Sequence, residues 1–217
     1  MVNTRRTFLK AAGGISIVFP RAGRAAAKWM EKNPAEWNSD DLQMILNHSA
    51  WVREAPLELD KTEGGSPRKK TGAGQFTEFI LLVRWESGLP VRQARRTGAS
   101  PGDVPERYVI SVSRIPLPFL GAFAGHRRGE EMGKGEVAAQ FAATASIERA
   151  GKGLIRADNA QWITSDFSPR VDISFPRNPS PIGIADGDVT FSARIAAFTF
   201  TARFALKPMI YRGKLEL

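Results

Sequence analysis

The chain has 217 residues, enough for one core of ordinary size, and carries 31 Lys and Arg against 22 Asp and Glu, a formal charge of +9. It contains no cysteine and only two histidines, His48 and His126. Disulfides, thiolate-held zinc, iron–sulfur clusters, a lipid-modified cysteine anchor and multi-histidine metal centres within one chain are therefore excluded.

The first 27 residues follow the order of an export signal: a charged start, an apolar stretch and small residues at a cleavage site. Thr4-Arg5-Arg6-Thr7-Phe8-Leu9-Lys10 resembles the twin-arginine pattern S/T-R-R-x-F-L-K, with Arg5, Arg6, Phe8 and Leu9 at its defining positions. Ala11 to Phe19 form the apolar stretch. A bilayer-spanning helix needs about 20 apolar residues, so no membrane span is expected in the mature protein. Ala25 and Ala27 present the small side chains that a signal peptidase accepts. This reading predicts cleavage after Ala27, the twin-arginine translocase and signal peptidase as partners in export, and a periplasmic or secreted destination.

Cleavage there removes Arg5, Arg6, Lys10, Arg21 and Arg24 and no acid, leaving 26 basic against 22 acidic residues, an excess of +4. That is an ordinary surface charge. With no aromatic–basic ladder along the chain, nucleic acid is not the expected partner. The surviving excess is concentrated in residues 61–100, where eight basic residues stand against three acids.

Residues 28–60 read as a helical segment marked by Trp29, Trp37 and Trp51. Ser39 is the expected N-cap, Asp40 and Asp41 fill the first turn, and Leu42, Ile45 and Leu46 share one face of a helix over about 39–48. Core packing is preferred here to a tryptophan ligand platform. Residues 61–75 form a basic loop of Gly, Ser, Pro and Lys that lacks the order of a phosphate-binding loop. Residues 76–217 read as a β-rich domain. Phe79, Leu81, Val83 and Trp85 alternate as a central strand, as do Tyr108, Ile110 and Val112. Between them, 87–106 reads as a long connection carrying Arg92, Arg95 and Arg96.

The apolar, proline-broken stretch 115–125 is expected to cover the core, with a partner or membrane-surface contact through Phe119, Leu120 and Phe123 as the alternative. Residues 129–150 read as a short helix passing into a strand, with a turn at 151–153. Alternation then returns over 170–175, 189–195, 198–206 and 209–217. Asp186-Gly187-Asp188 reads as a tight turn, because the spaced ligands of a calcium loop are missing. The expected fold is mainly β, an antiparallel β-sandwich or a strongly curved sheet, with a short N-terminal helix and room for one further helix. An α+β fold is the alternative.

Four phrases, ILNHSAW (45–51), VRWESGLPVRQA (83–94), YVISVS (108–113) and MIYRGKLEL (209–217), together resemble a group of uncharacterised exported bacterial proteins. That group has I-L-x-x-S-x-W and V-R-W-E-S segments and a Y-x-G-K-L-x-L ending. The resemblance implies export and a shared fold, and it transfers no catalytic residue.

No cofactor motif, metal set or catalytic constellation is visible, and no cofactor is expected. The expected function is a non-catalytic binding or accessory module of the cell envelope. Arg92, Arg95 and Arg96 would contact an envelope protein or an anionic polymer through their guanidinium forks. The alternative is a periplasmic hydrolase, or a cofactor-dependent enzyme of the kind that crosses the membrane folded. Glu78 and Glu86, eight residues apart, stand roughly 26 Å from one another along a strand, too far to act as a carboxylate pair. A hydrolase would instead pair one of these two glutamates with Asp172 or Asp158.

Overall fold

The structure is a computed structural model that describes residues 28–60, 79–95, 100, 103–121 (except the Phe119 side chain), 132–164 and 169–217. The chain begins with α1 (Lys28–Glu31) and α2 (Ser39–His48), followed by β1 (Val52–Pro56), β2 (Glu58–Leu59) and β3 (Ile80–Trp85). Next come α3 (Leu89–Ala94), β4 (Arg107–Ser113), α4 (Leu117–Gly121) and α5 (Lys134–Thr144). The remaining strands are β5 (Ser146–Arg149), β6 (Gly153–Arg156), β7 (Asn159–Ile163), β8 (Arg170–Pro176), β9 (Asp188–Ile195) and β10 (Phe198–Ala205). A small hairpin, β11 (Ile210–Tyr211) and β12 (Lys214–Leu215), closes the chain.

Two five-stranded sheets carry the fold, in the orders β1-β3-β4-β8-β7 and β2-β10-β9-β5-β6, and every pairing is antiparallel. Alternation makes one face of each sheet apolar. Leu81, Val83 and Trp85, Tyr108 and Ile110, and Val171, Ile173 and Phe175 are buried from the first sheet. Val189, Phe191 and Ile195, with Phe198, Phe200 and Phe204, are buried from the second, and all belong to one core. Trp85 meets Phe204 edge-on at 5.4 Å, and Phe175 meets Phe191 at 6.2 Å, so the sheets pack face to face. The protein is mainly β, a two-layer antiparallel sandwich.

Helix α5 touches β7 and β8 of one sheet and β9 of the other. Phe141 reaches Phe200 at 5.9 Å, while Gln140 Oε1 and Thr144 Oγ1 accept from the backbone N–H groups of Ala196 and Arg194. More of the chain is helical than the sequence reading allowed, because α3 and α4 occupy stretches expected as loops. Strands β1, β2, β6 and β7 were likewise not foreseen. Helix α2 spans the expected residues, but its N-cap is Asn38 rather than Ser39. Asn38 Oδ1 accepts from Asp41 N–H at 2.9 Å, and Asp41 Oδ2 accepts from Asn38 N–H at 3.1 Å, a reciprocal cap that Ser39 cannot make from inside the first turn. Among the described residues no helix is long and apolar enough to cross a membrane.

The N-terminal tryptophans belong to the core. Trp29 lies 5.8 Å from Trp37, 6.1 Å from Trp51 and 5.9 Å from Tyr211. Trp51 Nε1 donates to Glu216 O at 2.6 Å, tying the start of β1 to the chain end. Gly88 lets this junction close. A Cβ there would stand 2.6 Å from the Trp51 ring and 3.2 Å from Glu216 O. Gly88→Ala is therefore expected to cost about 1–3 kcal/mol by overpacking. Urea unfolding should show a lower midpoint with an unchanged slope.

Candidate anion-binding site

The outer face of the first sheet is where charge collects. Alternation puts Arg84 opposite to Trp85, and register then sets Arg84 beside Ser111 and Ser111 beside Asp172. Three strands thus bring their polar positions into one row. That row is not solvated as an outer face normally is, since Arg84 is 6% exposed and Ser111 0%. Helix α2 helps to close it, with Leu46 O accepting from Arg84 Nη1 at 2.6 Å.

Glu86 follows directly after β3. Its N–H donates to Val109 O at 2.8 Å, and Ser87 Oγ accepts from Val109 N–H at 3.0 Å, which pins the turn against β4. Gly88 then leads into α3, where Arg92 and Arg95 are three residues apart and share a face. Glu86 Oε1 accepts from Arg84 Nε at 2.7 Å, Ser111 Oγ at 2.7 Å and Arg95 Nη2 at 3.0 Å. Its Oε2 accepts from Arg95 Nε at 2.6 Å. Arg170 Nε lies 3.9 Å from the same carboxylate and holds Asp172 through two bonds of 2.7 and 3.1 Å. Arg92 donates to Ser87 O at 3.0 Å and to Asp103 O at 2.5 Å.

These surroundings set the charge states. Burial disfavours the Glu86 anion, but Arg84, Arg95 and Ser111 outweigh it and hold the carboxyl below its ordinary value. Burial pushes Asp172 up, with Glu86 adding to that push against the opposing Arg170 and Arg95. Burial also lowers the Arg84 guanidinium from its usual range, partly offset by Glu86. A cavity of about 210 Å³ opens over the cluster, bordered by Glu86, Ser87, Arg92, Arg95, Arg170 and Asp172. Pro105 and Val109 give it an apolar wall. Three guanidiniums, those of Arg84, Arg95 and Arg170, face the two carboxylates, a formal excess of one positive charge.

A larger cavity of about 570 Å³ lies beside Asp186 and Asp188. Its acids are matched locally, Asp186 to Lys152 and Asp188 to Arg203, each at 2.6 Å, so it presents no comparable excess. Among the described residues no group of three or more His, Asp or Glu is arranged to hold a metal ion.

Of the residues singled out from the sequence, Arg92 and Arg95 meet at this cleft. Arg96, His126 and the export positions Arg5, Arg6, Phe8, Leu9, Ala25 and Ala27 lie outside the described residues. Glu86 and Asp172, one of the carboxylate pairings left open by the sequence, border the same cleft, whereas Asp158 pairs with Arg107. Arg84, Ser111 and Arg170 were missed. Their one sequence trace is the charged Arg84-x-Glu86 ending of an otherwise apolar central strand. Comparison with protein-family models, curated proteins and solved structures finds no match to this chain.

Glu86→Gln leaves Arg84 buried beside two further cations, and a loss of about 3–5 kcal/mol is expected. Because the folded-state pKa of Glu86 is depressed, its contribution is complete above the ordinary carboxyl value of 4.5 and fades as pH falls towards the folded value. Urea unfolding between pH 3 and 7 should therefore show a shallower acid limb in the variant than in the parent.

Proposed function

We propose that this chain is an exported bacterial protein that serves as a non-catalytic binding or accessory module of the cell envelope. It holds an anionic group of an envelope polymer or protein at the cleft of Arg92 and Arg95. The observation that carries the binding reading is one small cleft bordered by Arg92, Arg95 and Arg170 together with Glu86 and Asp172, with Arg84 bound to Glu86 from the strand before it. A cluster serving stability alone gains little from a third guanidinium on two carboxylates, since the added cation brings desolvation and mutual repulsion. The export half of the reading is supported by the twin-arginine pattern and by the resemblance of residues 45–51, 83–94, 108–113 and 209–217 to exported proteins.

The carboxylates are engaged in a way that suits binding better than hydrolysis. A general acid or nucleophile needs a lone pair or proton available to substrate. Glu86 accepts four hydrogen bonds from Arg84, Arg95 and Ser111, and Asp172 gives both oxygens to Arg170. Both act as orienting groups for guanidiniums.

Replacing Arg92, Arg95 and Arg96 together by Glu should weaken binding to anionic envelope polymers at least about tenfold, the scale of one lost charge-assisted hydrogen bond. A control reversing the exposed Arg156, Lys207 and Lys214 makes the same change in net charge. Sedimentation with purified polymer at 0.15 M salt should separate the two variants. Equal binding by both would remove Arg92 and Arg95 as the site.

A further inference from the structure

We infer that the free edge of β6 takes an extended peptide segment of a partner protein as an added strand, with an acidic side chain of that segment held by Arg149. This site shares no bordering residue with the cleft of Arg92 and Arg95 and does not depend on it.

Strands β6 and β7 are two halves of one bent run, with only Ala157 and Asp158 between them. The first half pairs with β5 in the second sheet, and the second half with β8 in the first. Ala157 N–H donates to Ala145 O at 3.0 Å, which makes these two residues a hydrogen-bonded pair. Antiparallel alternation then turns the backbone groups of Gly153 and Ile155 towards β5, and those of Leu154 and Arg156 away from it. Asp158, next in that second series, donates to Ser174 O of β8 at 3.0 Å. Continued along the same line, β8 would meet Arg156 and Leu154 too. It ends instead at Pro176, and the chain leaves through Asn178, Pro179 and Ser180. Neither proline has an N–H to give to the edge. Among the described residues the outward backbone groups of Leu154 and Arg156 have no backbone partner. A cavity of about 360 Å³ lies along this edge, with Leu154 and Ile155 on one side and Pro176 and Asn178 on the other. An extended segment laid there can exchange main-chain hydrogen bonds with Leu154 and Arg156.

The chemistry of the segment follows from Arg149, which borders the same cavity and is only 5% exposed. Its Nη1 donates to Ser180 O and Oγ at 2.9 Å each, its Nη2 reaches Lys152 O at 3.4 Å, and its Nε has no acceptor. No carboxylate among the described residues forms an ion pair with it. Asp186, close enough to feel its charge, is held by Lys152 Nζ at 2.6 Å. A guanidinium enclosed with neutral acceptors alone keeps much of its desolvation cost, and a carboxylate brought to it offsets that cost.

Arg149 and Ile155 lie on the inner side of the second sheet, as their register with the core residue Ile147 requires. Alternation along the added strand therefore turns its acid inwards and the residues on either side outwards, beside Leu154. Leu154 is 52% exposed and favours apolar neighbours. The pattern recognised is apolar–acidic–apolar. Residues 176–180 wall the far side, so the recess suits a single extended chain rather than the sheet edge of a second copy.

NMR on the full-length protein, labelled with nitrogen-15, tests this with the peptide acetyl-TVEVT-amide and its glutamine analogue acetyl-TVQVT-amide. The glutamate peptide should shift the Leu154 and Arg156 amide signals and slow their exchange with solvent. The glutamine analogue should bind at least about tenfold more weakly, the scale of one lost charge-assisted hydrogen bond. Leu154→Pro removes one outward N–H and spares the ladder to β5, as proline on an edge strand does. It should weaken the glutamate peptide about tenfold while the rest of the spectrum is retained. Equal affinity for the two peptides, parent-like binding by folded Leu154→Pro, or no binding at all overturns the inference. Shifts confined to Ser87 and Val109 would overturn it as well, while supporting the cleft of Arg92 and Arg95 as the acceptor of the acid. The two peptides on the unmodified protein decide the matter even where the variant does not fold.

Discussion

A carboxylate taken out of water costs several kcal/mol unless cations and hydrogen-bond donors surround it, and the surroundings of Glu86 are organised by that cost. Arg84 reaches it from the preceding strand, Ser111 from the neighbouring strand and Arg95 from the helix that follows. To deliver Arg95, the chain must turn immediately after β3 and run α3 over the outer face of the first sheet. That turn is held by Ser87 against Val109 and made possible by Gly88, which passes within contact of Trp51. The position of one anion thus explains a turn, a helix and a buried polar row.

The frame around the cluster is tied to residues 216 and 217. Trp51 donates to Glu216 O, and Arg177 donates to the Leu217 carbonyl while stacking 4.2 Å over Tyr108. Tyr108 Oη in turn accepts from Ile182 N–H at 2.7 Å, and its ring meets Trp85 edge-on at 5.7 Å. The arginines therefore rest on a platform continuous with the aromatic core. Preorganised forks lose less entropy on gripping an oxyanion than flexible surface lysines do, which favours this cleft over the exposed positive residues elsewhere.

The sandwich was legible from the chain because its signal is local. Period-two runs at 79–85, 108–112, 170–175, 189–195 and 198–206 bury the residues the pattern picks out, except Phe79, which is half-buried. Helix α2, and the passage from α5 into β5, announce themselves by spacing and by alanine content. Strands β6 and β7 did not, since GLIR and NAQWI bury little and their pairing is set by neighbours rather than by their own alternation. Helix α3 was hidden by the glycine and proline at its start, which read as a loop although proline suits the first turn of a helix. The site was half legible. A local count of charge reached Arg92 and Arg95, but Arg84, Ser111 and Arg170 come together only through cross-strand register, a relation between residues 27 to 86 positions apart.

The binding reading stands or falls on whether the guanidiniums of Arg92 and Arg95 receive an anion. Crystals soaked in selenate, whose selenium scatters anomalously, locate such an ion without ambiguity. The account predicts a strong anomalous peak between those two guanidiniums, in the cleft bordered by Glu86, Ser87, Arg92 and Asp172. Selenate found only at other surface sites, with this cleft accessible in the lattice and free of density, would contradict it.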